Sequence, residues 1–108
     1  MSVKELRMRG RKRLDLDQLP TELIATLVDW RFDKDTRGRE CLFVDLEDEN
    51  GNTITQKYTN LHITDLADAI EQLGFDHLDK TKGKKFLWKL KAYRIGNPRL
   101  IPEKLIAD

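Results

Sequence analysis

Apolar side chains in this chain recur at every second position in segment after segment, and only once switch to a helical spacing. A strand turns successive side chains to opposite faces, whereas a helix gathers residues three and four apart onto one face. The sequence therefore reads as a mostly β domain with one helix. In "KKFLWKLKAYRI", residues 84–95, Phe86, Trp88, Leu90 and Ala92 alternate with Lys89, Lys91 and Tyr93. Phe86 and Trp88 fall to the core on this pattern, and Lys89, Lys91 and Tyr93 to a basic-aromatic outer face.

The other segments order themselves around that strand. "ELIATLVDWRF", residues 22–32, is rich in β-branched and aromatic residues and reads as a long first strand. Its apolar residues occupy both parities: Leu23, Ala25 and Leu27, then Ile24, Val28, Trp30 and Phe32. That requires burial on both faces for part of its length, or a bend at a bulge. "RECLFVDLED", residues 39–48, places Leu42, Val44 and Leu46 inward and Cys41, Phe43 and Asp45 outward. Asn50-Gly51 is a hairpin signal. It leads into "TITQKYT", with Ile54 and Tyr58 on one side and Lys57 on the other.

The period then changes. Ile63, Leu66, Ile70 and Leu73 form one apolar stripe, with Thr64 as the cap, Asp65 in the first turn and Gly74 at the end. After the fourth strand, Gly96-Asn97 makes a tight turn. "PRLIPEK", residues 98–104, is then a short fifth strand bracketed by prolines, as an edge strand would be. The order is β-β-β-α-β-β.

A chain of 108 residues supports one modest core. Residues 1–13 lack apolar periodicity and read as a basic flexible arm, leaving residues 14–108 as a single domain. No run approaches the ~20 apolar residues that span a membrane. The basic start has no apolar core of a secretory signal. One cysteine, Cys41, makes neither an internal disulfide nor a zinc site alone, so a reducing, cytoplasmic setting is expected. The net charge of +1 hides a segregation: +5 over residues 1–13, −10 over 14–80 and +6 over 81–108. Such a split places positive charge locally although the molecule is nearly neutral.

Catalytic motifs do not emerge. His62 and His77 lack metal-ligand spacing, and "DLEDENGN" lacks the final glutamate of a calcium loop. His62 reads as a local hydrogen bonder. No enzyme activity, metal or cofactor is expected. Polyanion binding is better provided for, because cations track phosphates while aromatic faces stack bases. Trp30 and Phe32 flank Arg31, Arg37 and Arg39 flank Gly38, and Phe43 stands apart from the apolar face of its strand. Lys57, Arg99 and the Lys89, Lys91 and Tyr93 set complete the candidates. The bland counterpart is a solvated outer face, on which lysines simply keep strand edges from aggregating.

The order of elements resembles the OB-fold, a five-stranded, partly open antiparallel barrel with a helix between its third and fourth strands. The resemblance spans roughly residues 20–105 and rests on elements, not on a residue motif. It implies binding across the second and third strands, at Phe43 and Lys57. Arg37 and Arg39 would frame the face from the first loop, and Gly96 to Arg99 from the last. The acidic hairpin "EDENGN" departs from the basic finger sometimes found there. The expected function is non-catalytic binding of single-stranded nucleic acid, DNA foremost, as in replication or repair, with little sequence preference. The alternative is a protein-interaction module or accessory subunit, since fold does not fix function.

Overall fold

The computed structural model describes residues 19–94 and 96–107, and builds from them five antiparallel strands and one α-helix. These are β1 (Glu22–Lys34), β2 (Glu40–Asp48), β3 (Thr53–Tyr58), α1 (Leu61–Gln72), β4 (Lys85–Lys91) and β5 (Arg99–Ala107), with a short 3-10 helix at Leu78–Thr81. The basic arm assigned to residues 1–13 lies outside the described residues. The sheet order is β3-β2-β1-β4-β5.

β1 is the spine. Its first half, Glu22–Thr26, pairs with β4, and Ala25–Lys34 pairs with β2. The two ladders overlap at Ala25 and Thr26, and the β1–β2 register then shifts at a bulge between Leu27 and Asp29. This accounts for the mixed parity of the sequence: Ala25 and Leu27 are buried, then Val28 is extra and exposed. After it, Trp30 and Phe32 oppose the buried Val44 and Leu42. A bulge bends its strand and strengthens the local twist, so β1 leaves β4 at this point and continues with β2.

The edge strands β3 and β5 are not joined by a backbone ladder among the described residues. They meet through side chains. Gln56, fully buried, accepts the Leu100 N–H at 2.9 Å through Oε1. The buried Tyr58 hydroxyl donates to the Leu100 carbonyl at 2.5 Å. Arg99 Nε donates to the Lys57 carbonyl. Buried backbone groups without partners are costly, and here side chains supply what a fifth strand pairing would have supplied. The sheet is therefore open in its ladder and bridged at one seam.

Trp88, Tyr58, Phe86, Leu27, Leu46 and Leu100 fill the interior, and α1 closes over it with Leu66 and Ile70. Trp88 satisfies its indole N–H on the Ala25 carbonyl at 3.0 Å. Each fully buried Leu contributes about 1.5–3 kcal/mol through lost apolar exposure.

Four local expectations are corrected. Cys41 points inward and is 0% exposed, because β2 is buried on both faces where it enters from the loop. The helix begins at Leu61, three residues before Thr64, after Asn60 takes a positive φ of 39°. Thr64 bonds back to the Asn60 carbonyl at 3.5 Å, and Asp65 lies beyond the first turn. Third, β4 stops at Lys91, so Ala92 and Tyr93 are not strand residues and Ala92 is exposed. Finally, β5 runs on to Ala107. The helix end follows the expected form. Gly74, at φ +94°, donates to Glu71 and Phe75 donates to Ile70, the paired bonds of a Schellman cap.

Candidate nucleic-acid interface

Strand register sets one row of side chains across the outer face: Arg31 on β1 opposes Phe43 on β2, and Phe43 opposes Lys57 on β3. The Arg31 guanidinium lies over the Phe43 ring, 5.3 Å from its centroid, and pairs with Asp45 at 2.9 Å. Asp45 in turn accepts the Thr55 hydroxyl at 2.7 Å. Arg31 is thus held flat against an aromatic that remains half-buried.

The β1–β2 loop is organised by Asp35, whose side chain is only 4% exposed. Its carboxylate accepts the backbone N–H groups of Arg37 and Arg39, each at 2.9 Å, and Arg39 Nε at 3.2 Å. Lys57 Nζ stands 3.6 Å away and the Cys41 thiol 3.8 Å. The Arg39 backbone bond above all, with the Arg37 N–H and the nearby cations, outweighs desolvation and holds the Asp35 carboxyl at about 2. Gly38, at φ +77°, supplies the backbone that such a turn needs. The Arg37 side chain has no partner among the described residues, while Arg39 remains exposed.

On the far side of Lys57, Arg99 is clamped by carbonyl oxygens: that of Lys57, and those of Asn97 at 2.5 Å and Pro98 at 3.3 Å. Lys57 is consequently shared, its ammonium tied to the first loop and its carbonyl to the start of β5. The Arg31–Phe43–Lys57 row thus has the Arg37–Arg39 loop on one side and Arg99 on the other, with the carboxylates Asp33, Asp35 and Asp45 set among these cations.

The other candidates lie elsewhere. Lys91 and Tyr93 both bind Asp65 of α1, at 2.8 Å and 2.6 Å, and Tyr93 packs edge-on against His62. Those two bonds lower the Asp65 carboxyl, while burial and the Asp65 charge push the Tyr93 phenol up. Burial chiefly, helped by the Arg99 charge, pushes His62 down. Its Nδ1 accepts from the Thr59 N–H at 3.3 Å, the local role expected of it. Lys89 is held between Glu103 at 3.1 Å and Glu22 at 3.6 Å. Lys89 and Lys91 keep one parity on β4 and line a common cleft, each paired with carboxylates, while Tyr93 lies beyond the strand.

Trp30 and Phe32 project to the opposite side of β1 from Arg31. They meet edge-to-face with centroids 6.1 Å apart and line a groove of about 720 Å³ between β1 and α1. Lys82 lies over the Trp30 ring at 5.6 Å while pairing with Asp29 at 3.0 Å.

Sequence reasoning missed Asp35 and Gln56, the residues that fix the loop and the seam. The signal for Asp35 was present in "DTRG", an aspartate followed three residues later by glycine, as Asx-turns favour. No local signal marks Gln56, whose partner is 44 residues away. The chain matches no protein-family model, and a search of curated proteins finds no match.

Proposed function

We propose that this chain binds single-stranded nucleic acid without catalysis, on the face of an OB-like barrel formed by β1, β2 and β3. The observation that carries the reading is the Arg31–Phe43–Lys57 row, flanked by Arg37 and Arg39 on one side and Arg99 on the other. The barrel reading is supported by a bulged β1 serving both halves of the sheet, a helix between β3 and β4, and side-chain bonds spanning β3 and β5.

In this proposal Phe43 offers a stacking surface to a base, stiffened from one side by Arg31. Lys57, Arg37 and Arg39 track the phosphates on either side of that base. Preorganisation matters because ordering long side chains on binding costs about 0.5–1.5 kcal/mol each, and Asp35 and Asp45 hold Arg31, Arg39 and Lys57 in place beforehand. Those carboxylates also limit affinity. Five phosphate contacts would give a salt slope near −3.5, and the net surplus of two charges alone would give about −1.4, at roughly −0.7 per contact.

The test is fluorescence anisotropy of a labelled oligothymidine, with a duplex of equal length as comparison, across a salt series. Tryptophan quenching is a poor substitute, because Trp88 is fully buried and Trp30 lies on the other side of β1 from Phe43. Phe43→Ala is expected to cost about 1–3 kcal/mol of affinity if one base stacks there. Lys57→Gln should flatten the slope by about 0.7. Absence of binding at low salt, or binding indifferent to both substitutions, refutes the assignment.

A further inference from the structure

Three cations of the proposed interface are answered by carboxylates: Arg31 by Asp45, and Arg39 and Lys57 by Asp35. Arg37 is exposed to solvent. Arg99 differs from all four. It is half-buried, yet no carboxylate pairs with it among the described residues. Its Nε and Nη1 donate to the carbonyls of Lys57, Asn97 and Pro98, and its Nη2 makes no bond there. Carbonyl dipoles position a guanidinium but leave its net charge unmatched. A partly desolvated cation without an anion is costly, and such a group is a candidate for binding one.

His62 stands beside it. The Lys57 carbonyl holds Arg99, and Thr59, at most about 7 Å further along the chain, holds His62. His62 Nδ1 accepts the Thr59 N–H at 3.3 Å, which fixes the tautomer of the neutral ring with its proton on Nε2. Nε2 therefore presents an N–H, and that N–H has no acceptor among the described residues. The Thr59 hydroxyl, 3.2 Å from Nδ1, donates to the neutral ring or accepts from the protonated one. The ring can thus take a second proton in place, packed edge-on against Tyr93 with centroids 4.4 Å apart.

The charges that act on His62 come from three elements: Arg99 on β5, Lys57 on β3 and Asp65 on α1. Asp65 is already bonded to Lys91 at 2.8 Å and to the Tyr93 hydroxyl at 2.6 Å. With Lys57 matched by Asp35 and Asp65 by Lys91, the Arg99 charge is the surplus at this corner. Burial first, and then that charge, favour the neutral form of His62 over the pull of Asp65.

We infer, on the nucleic-acid reading above, that Arg99 and His62 together hold one phosphate of the bound strand, Arg99 through Nη2 and His62 through Nε2. The phosphodiester supplies the missing negative charge, and an opposite charge within a few ångströms favours the protonated imidazole. Binding is therefore accompanied by uptake of a proton, and the strand is held more tightly as pH falls. Each unit by which the phosphate raises the His62 pKa increases affinity at low pH about tenfold over that at high pH.

Anisotropy of a rhodamine-labelled oligothymidine, titrated with the full chain at fixed ionic strength, reads this linkage over about pH 5.5–8, the window of histidine. Affinity should rise about tenfold toward the acidic end, and the salt slope should steepen there by about 0.7. His62→Gln should flatten both trends, and His77→Gln, at the chain's other histidine, should leave them in place. In the parent chain, NMR titration of the His62 ring should give a pKa below the ordinary value alone and a higher one with oligothymidine. Binding that depends on Phe43 and Lys57 but not on pH, with the His62 titration unmoved, overturns this inference and leaves the proposed function standing. A rise that survives His62→Gln overturns it as well. Absence of binding at every pH refutes the proposed function and this inference with it.

Discussion

Tyr58→Phe tests whether the seam between β3 and β5 is a structural joint or a chance approach. The substitution removes one oxygen from a wholly buried side chain and leaves ring packing unchanged. It strips the Leu100 carbonyl of the hydroxyl that donates to it at 2.5 Å. A buried polar group deprived of its partner costs about 1–3 kcal/mol. For a domain of this size, each kcal/mol lowers the midpoint of thermal unfolding by about 4–8 °C. We therefore expect a drop of roughly 8–16 °C for a mid-range loss of about 2 kcal/mol.

Gln56→Leu supplies the internal comparison. It orphans the Leu100 N–H, but it also removes the Gln56 Nε2 group, which is buried without a partner among the described residues. The two terms are each about 1–3 kcal/mol and oppose one another, so Gln56→Leu should cost less than Tyr58→Phe. Urea unfolding followed by far-UV circular dichroism gives both values. Amide hydrogen exchange at Leu100 should accelerate in each variant. A Tyr58→Phe loss below about 0.3 kcal/mol, or the reverse order of the two variants, refutes the seam as a source of stability.

Two further expectations concern the turns. Asp35, held at about 2 when folded and near 3.9 when unfolded, contributes stability that is complete above pH ~5 and lost as pH falls through ~2. The stability difference between the parent and Asp35→Asn should therefore be constant above pH ~5 and shrink through that window; a difference independent of pH would refute the Asp35 assignment. Gly51→Ala meets no atom within 4 Å but must hold φ +82°, so urea unfolding should show a loss of about 1 kcal/mol from backbone strain alone. An unchanged midpoint would show that the hairpin relaxes to another turn.

The sequence disclosed element order well because its periods were clean: the alternation of β2 and β4, and the single stripe of α1. It also disclosed that β1 had to bend, since apolar residues on both parities left few other solutions. Boundaries were hidden where tertiary partners decide them. Tyr93 leaves the strand pattern because Asp65 and His62 take its hydroxyl and ring, a contact spanning 28 residues to the carboxylate. Cys41 follows an outward parity in the sequence, yet it is buried where the Asp35 turn packs back on β2. For the candidate interface, residue types were legible but pairing was not. Lys89 and Lys91 are as basic in the sequence as Lys57, and only the register shows them answered by Glu103, Glu22 and Asp65.

The bulge at Val28 has a consequence for the length of the chain. Leu27 faces in, and with Val28 set aside as the extra residue, Asp29, Trp30, Arg31 and Phe32 resume the alternation without interruption. Deleting Val28 would therefore exchange no inside residue for an outside one, and would leave a straight strand with every side chain on its present face. Deleting Thr26 instead would carry the inward set to solvent on one side of the cut. A shortened β1 lacking Val28 would keep its burial pattern and lose only its curvature, so one position in this strand sets the shape of the sheet while leaving its inside and outside untouched.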